Sequence, residues 1–157
     1  MIYTLTANPA IDYNVSCDRL DANTVTRTRD AVYSPNGKGL NVSFTLDHYN
    51  VPTTILGFFA GFSGRFIVEG ARERGVEVKP VWTEGITRVN VFLNAGEGVE
   101  YNMVNAGAAI TPADEDAMVG LISSLEDLDC LVISGSLPPN TSNGFLRRVL
   151  ETVRAKG

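Results

Sequence analysis

Two glycines flank a lysine, with asparagines on either side, in Asn36-Gly37-Lys38-Gly39-Leu40-Asn41. Glycine carries no Cβ, so backbone built on it can approach a ligand closely. From Leu40 to Tyr49 the apolar residues Leu40, Phe44, Leu46 and Tyr49 recur at roughly helical spacing. That spacing places the glycines at a helix N-terminus, whose unpaired N–H groups favour anions or hydroxyl-rich ligands. A tight loop entering a packed helix would use the same residues, so the segment takes its meaning from its company.

Asp12 closes the run Leu5-Thr6-Ala7-Asn8-Pro9-Ala10-Ile11-Asp12, just after an Asn-Pro turn. Open α/β sheets bind ligands beyond the carboxyl ends of their strands, and a carboxylate there can accept hydrogen bonds from two neighbouring hydroxyls. An aspartate that caps its own turn is the competing reading. Lys38, Arg27 and Arg88 are the candidate phosphate ligands, arginine being able to grip a phosphate with two parallel bonds. Each could equally be a solvated surface charge. Arg88 and Asn90, two apart in Thr87-Arg88-Val89-Asn90-Val91, share one face of a strand. Asn41 could donate to and accept from a hydroxyl, or simply cap its helix. Ser136, in Gly135-Ser136-Leu137-Pro138 after a buried strand, stands at another carboxyl end or is a turn serine. His48 has no partner at metal spacing, and Asp114, Glu115 and Asp116 read as acids at a helix N-terminus. With no Walker loop, Ser-His-Asp set or HExxH, no residue is assigned as catalytic or as a metal ligand.

The elements that must hold these residues alternate along the chain. Ile2–Thr6, Thr53–Phe59, Val76–Trp82 and Leu131–Ser134 read as buried strands. Gly37–Tyr49, Phe62–Arg74, Thr111 to about Leu125, and Asn143–Ala155 read as helices. Gly75 suits a helix C-cap, and Thr111-Pro112-Ala113-Asp114 combines a capping hydroxyl with proline and acids in the first turn. Such alternation predicts an α/β fold, a mostly parallel sheet covered on both faces. Two stretches break the rhythm: Tyr13–Leu20 with Val25–Tyr33, and a hairpin over Arg88–Leu93 and Glu100–Asn105 through Ala95-Gly96-Glu97-Gly98. They form either a separate small sheet or an edge extension of the main one.

Composition narrows the partners. Thirteen Lys and Arg against eighteen Asp and Glu give a net charge of −5, which argues against nucleic acid. Cys17 and Cys130 show neither metal spacing nor a disulfide framework, as expected of reduced thiols in a cytoplasm. No apolar run approaches the roughly 20 residues of a membrane span, and Met1-Ile2-Tyr3-Thr4-Leu5 opens directly into a strand without a basic leader. A soluble, cytoplasmic chain is expected.

Five segments, taken together in this order, resemble the ribokinase-like (PfkB) sugar kinases, and within them the phosphosugar kinases: Leu5–Asp12, Ser34–Ser43, Leu56–Gly64, Thr87–Val91 and Leu131–Pro139. The resemblance covers Met1 to Gly157. It implies a three-layer α/β/α fold with a small β lid, built from strands near 13–33 and 88–105, which also serves as a homodimer contact. It implies that Asp12, Gly37, Gly39 and Asn41 bind sugar hydroxyls, that Arg27, Lys38, Arg88 and Ser136 lie toward the sugar phosphate, and that Asn90 joins Arg88 in the same substrate site. The implied reaction is ATP-dependent and Mg2+-dependent phosphorylation of D-fructose 1-phosphate to fructose 1,6-bisphosphate. Tagatose 6-phosphate and fructose 6-phosphate are the alternative substrates, and a non-catalytic sugar-phosphate-binding or oligomerisation module is the alternative class. The nucleotide-binding motifs of the resembled enzymes have no counterpart within 1–157, so the chain reads as an N-terminal half that is inactive alone. Three positions depart from the pattern. Asn36 stands where glycine is common, Thr26 where asparagine often precedes the arginine, and Phe92 where fructose 1-phosphate enzymes frequently carry lysine.

Overall fold

The computed structural model describes residues 1–157, which form eight strands and four helices. The main sheet has the order β5-β4-β1-β8 and is parallel throughout: β1 (Ile2–Thr6), β4 (Thr53–Phe59), β5 (Glu77–Trp82) and β8 (Cys130–Ile133). Every residue of β4 is buried, as a central parallel strand requires. Side chains alternate across the sheet. Tyr3, Leu5, Leu56 and Phe58 meet Met118 and Ile122 of α3 (Pro112–Ser124) and Phe145 and Val149 of α4 (Phe145–Arg154). Ile55, Phe59 and Val78 meet Leu40 of α1 (Lys38–His48) and Ile67, Val68 and Ala71 of α2 (Gly61–Glu73). The result is three layers, α/β/α, as the alternation predicts. A buried chain of hydroxyls, Thr4 to Ser43 at 2.8 Å and Ser43 to Thr53 at 2.9 Å, ties α1 to β1 and β4.

The stretches outside the rhythm form a separate sheet, not an edge extension. Its order is β3-β2-β6-β7: β2 (Ala10–Ser16) runs parallel to β6 (Arg88–Asn94), while β3 (Arg29–Asn36) and β7 (Glu100–Met103) pair antiparallel outside them. The strand boundaries differ from the expected ones. β2 begins at Ala10, directly after the Asn-Pro turn, because it pairs from Ala10 with Arg88. The expected strand character of 17–20 and 25–28 gives way to a loop, where Arg19 Nε binds Asp21 at 2.6 Å, Thr24 binds the Asp21 carbonyl at 2.9 Å, and Asn23 takes a φ of 58°. No helix is long and apolar enough to cross a membrane.

Thr111 caps α3 in a capping box with Asp114. Burial acts to raise the Asp114 carboxyl, but hydrogen bonds from the Thr111 backbone, the Thr111 hydroxyl and Thr83 outweigh it and hold the group below its ordinary 3.8. A carboxyl depressed in the folded state gives stability that is complete above its unfolded value and is lost as pH falls through its folded value. Urea denaturation at descending pH should therefore show stability falling below the ordinary value, and Asp114→Asn should remove that component. At neutral pH, Thr111→Ala should cost about 1 kcal/mol.

Candidate functional site at the seam of the two sheets

The chain passes between the two sheets four times: β1 runs through Ala7-Asn8-Pro9 into β2; β3 ends at Asn36 and turns at Gly37 into α1 and β4; β5 is followed by β6; and β7 returns through Asn105 and Ala106 to α3 and β8. The register sets Asp12 opposite Asn90 and Asn36 opposite Ala10. Asp12 and Asn90 are both buried. Asp12 Oδ1 accepts from Asn90 Nδ2 at 2.9 Å, and Oδ2 accepts from Asn36 Nδ2. Asn36 Oδ1 in turn accepts from the Gly37 N–H at 2.6 Å and from Asn41 Nδ2 at 2.8 Å.

The two glycines are needed because the turn sits directly on β1. A Cβ at Gly39 would lie 2.3 Å from Thr6 Oγ1 and 3.0 Å from the Leu5 carbonyl oxygen, and one at Gly37 would lie 2.5 Å from Thr6 Cγ2. Only bare backbone lets α1 start this close to the strand's carboxyl end. No side chain caps the first turn of α1, which leaves that helix end available to a ligand oxygen.

Arg88 is anchored more tightly than a surface cation. Its Nη2 donates to the Asn8 carbonyl at 2.9 Å and its Nη1 to the Asn105 carbonyl at 3.2 Å, while Nε is buried without a partner. Burial pushes the guanidinium below its ordinary value and the Asp12 charge acts the other way, so the cation and the carboxylate belong to one electrostatic unit. Asn105 holds the far side: its side chain donates to the Val89 carbonyl at 2.6 Å and its N–H to Asn90 Oδ1 at 3.3 Å. Asn8 reaches the third loop, donating to the Ala106 carbonyl at 3.0 Å and lying 3.5 Å from Ser136 Oγ.

Hydrogen bonds thus connect Asp12, Gly37, Asn41, Arg88, Asn90 and Ser136 into one group, with Gly39 packed beneath it. Lys38 is exposed, and its stem runs past Gly135, where a Cβ would lie 3.6 Å from Lys38 Cβ. Arg27 is exposed in the loop before β3, and no hydrogen bond or ion pair ties it to the seam. Asn8 and Asn105 are connectors that residue patterns did not single out. The only sequence signal for Asn8 was its Asn-Pro turn, and Asn105 carries none. Farther along the polar face of β2 and β6, Asn14, Ser16, Phe92 and Asn94 line a recess of about 320 Å³ together with Asp30 and Glu100. Those carboxylates disfavour a phosphate there, whereas Arg88 and Lys38 place positive charge at the seam itself.

Chemically, the seam offers an acceptor carboxylate, amides of both polarities, backbone donors and a fixed cation. That combination suits a polyol bearing an anionic group. Residues 3–157 match the model of the pfkB family carbohydrate kinases. The chain is 44% identical over 156 residues to a D-tagatose-1-phosphate kinase of Klebsiella oxytoca, covering 99% of this chain and 51% of that protein. It is 33% identical over 154 residues to a 1-phosphofructokinase of Bacillus subtilis, covering 98% of this chain and 50% of that protein. The fold superposes on phosphofructokinase-2 from Escherichia coli, solved in complex with substrates and products, with a TM-score of 0.90 at 27% identity over 99% of this chain and 51% of that one. The chain spans about half the length of the curated relatives it matches. A match over nearly every residue, a shared ribokinase-like architecture and a seam suited to an anionic polyol lead to one assignment: the chain belongs to the pfkB family of carbohydrate kinases.

Proposed function

We propose that the protein containing this chain is an ATP-dependent sugar-phosphate kinase, and that residues 1–157 are the N-terminal portion that binds the phosphosugar. The observation that carries this reading is the buried Asp12 carboxylate, held by Asn90 and Asn36 beside the glycine turn and within the field of Arg88. Asp12, Asn41 and the turn Gly37–Gly39 serve the hydroxyls. Arg88, Lys38 and Ser136 serve the phosphate end, Asn90 orients Asp12, and Arg27 joins only if its loop folds toward a bound ligand.

The proposed reaction transfers the γ-phosphoryl of ATP to the free primary hydroxyl of D-fructose 1-phosphate, giving fructose 1,6-bisphosphate and ADP. The 44% identical relative supports a second substrate, D-tagatose 1-phosphate, which differs from the first only in configuration at C4. Either way the anchoring phosphate sits on C1 and the acceptor is the opposite end. Nowhere in the chain do three His, Cys, Asp or Glu side chains converge to hold a divalent ion. Mg2+ in kinases is held by one or two carboxylates together with the nucleotide phosphates, and on the proposed reading those ligands and the nucleotide site belong to sequence outside 1–157. The apolar face of the second sheet, where Tyr13 stacks on Tyr33 at 4.5 Å and Tyr33, Tyr101 and Met103 are exposed, supports a homodimer through the lid.

The test is kcat/KM of the protein containing this chain toward fructose 1-phosphate, tagatose 1-phosphate, fructose 6-phosphate and tagatose 6-phosphate. A preference for a 1-phosphate is expected. A clear preference for a 6-phosphate would reverse the proposed orientation, and turnover of none would leave a non-catalytic binding module.

A further inference from the structure

We propose that the Asn36 side chain is an internal stand-in for the sugar: in the free chain it occupies the hydroxyl-binding groups of the seam, and a sugar must displace it to bind. This inference rests on reading the seam as a phosphosugar site. The Asn36 carboxamide donates to Asp12 Oδ2 and accepts from the Gly37 N–H at 2.6 Å and from Asn41 Nδ2 at 2.8 Å. A pair of neighbouring hydroxyls would make the same bonds, one O–H donating to the carboxylate while its oxygen accepts from the amide and the backbone. The other Asp12 oxygen already receives Asn90 at 2.9 Å, and Asp12 is only 7% exposed. A carboxylate oxygen can accept a second bond, but the Gly37 N–H has one hydrogen and the Asn36 oxygen holds it, so a sugar hydroxyl reaches Asp12, Gly37 and Asn41 together only by taking the place of Asn36.

The exchange needs no backbone movement. Asn36 is the last residue of β3, paired with Ala10, and its side chain can turn away about its own torsions while the ladder stays intact. The sugar then gains little net hydrogen bonding from these groups, because each bond it makes replaces one that existed before. Asn36 therefore sets the affinity of the site and favours sugars whose hydroxyl pair reproduces its pattern of one donor and two accepted bonds.

Truncating Asn36 should have opposite effects on stability and affinity. Asn36→Gly and Asn36→Ala should each lower Tm, because three hydrogen bonds are lost. Each should also bind D-fructose 1-phosphate or D-tagatose 1-phosphate more tightly, by about tenfold, on the scale of one net hydrogen bond released. The alanine variant keeps the backbone restricted and separates loss of the amide from the freedom of glycine. Calorimetric titration of the wild-type chain and both variants with the two sugar phosphates reads the affinities. If the wild type binds and the alanine variant binds equally or less tightly, Asn36 is a ligand or a brace and the stand-in role is overturned. If no form binds either sugar phosphate, although the Asn41 side-chain amide resonances shift in the ligand-free variants, the seam is not a phosphosugar site and both readings fall.

Discussion

Purified residues 1–157, mixed with ATP, Mg2+ and any of the four ketose phosphates, should produce no bisphosphate. Phosphoryl transfer depends on a base for the attacking hydroxyl, donors around the migrating phosphoryl, and a metal bridging the nucleotide. On the proposed reading, the seam supplies positioning groups for one substrate only. Its buried carboxylate, Asp12, is already bound by Asn90 and Asn36, and its fixed cation, Arg88, is held by the carbonyls of Asn8 and Asn105. Because positioning of both substrates and electrostatic stabilisation supply nearly all the acceleration in this reaction class, their joint loss should cost many orders of magnitude. A coupled assay on mass-verified 1–157 checks this. Turnover near an ordinary kinase rate, about 1–100 s⁻¹, would show that a full catalytic set lies among residues read here as structural.

Arg88→Ala should weaken binding of a sugar phosphate by roughly 1.5–3 kcal/mol, the scale of a charge-assisted hydrogen bond. The loss should be far smaller for the sugar without its phosphate. The variant also leaves the Asn8 and Asn105 carbonyls without their donor, so Tm should fall as well. Arg88→Lys separates the two effects, since it restores the charge but not the fork that spans two carbonyls. It should recover part of the phosphate affinity and little of the stability. Equal losses for phosphorylated and free sugar, measured by calorimetry, would make Arg88 a brace between loops and not a phosphate ligand.

The two central strands of the main sheet, β1 and β4, were legible because they are short apolar runs buried on both faces. Ile2–Thr6 and Thr53–Phe59 appear with the expected bounds. Thr111 announced α3 through local chemistry alone, and the capping box is formed. The second sheet was harder, because β2 alternates buried apolar residues with Asp12, Asn14 and Ser16, and its limits come from pairing with β6, far along the chain. The candidate site residues follow the same division. Asp12, Gly37, Gly39 and Asn41 carried a motif or turn signal that marked them as candidates. What satisfies Arg88 was not, since its partners Asn8 and Asn105 lie 80 and 17 residues away. Nor was the use of Asn36, whose bonds depend on β3 returning beside β2. Glu115 makes the same point: read as an acid at the start of a helix, it is also buried and accepts from the Ser142 N–H at 2.6 Å and the Ser142 hydroxyl at 2.7 Å, bracing the approach to α4.

Binding of a phosphosugar at the seam of the two sheets, through Asp12 and the glycine turn, is tested most directly by titration calorimetry of residues 1–157 with D-fructose 1-phosphate, with D-tagatose 1-phosphate, and with D-fructose as the unphosphorylated control, with Asp12→Ala run in parallel. Saturable one-to-one binding of a sugar phosphate, weaker binding of free fructose, and loss of binding in a folded Asp12→Ala chain are expected. Binding that survives Asp12→Ala unchanged, or a wild-type chain that binds neither phosphate, would contradict it.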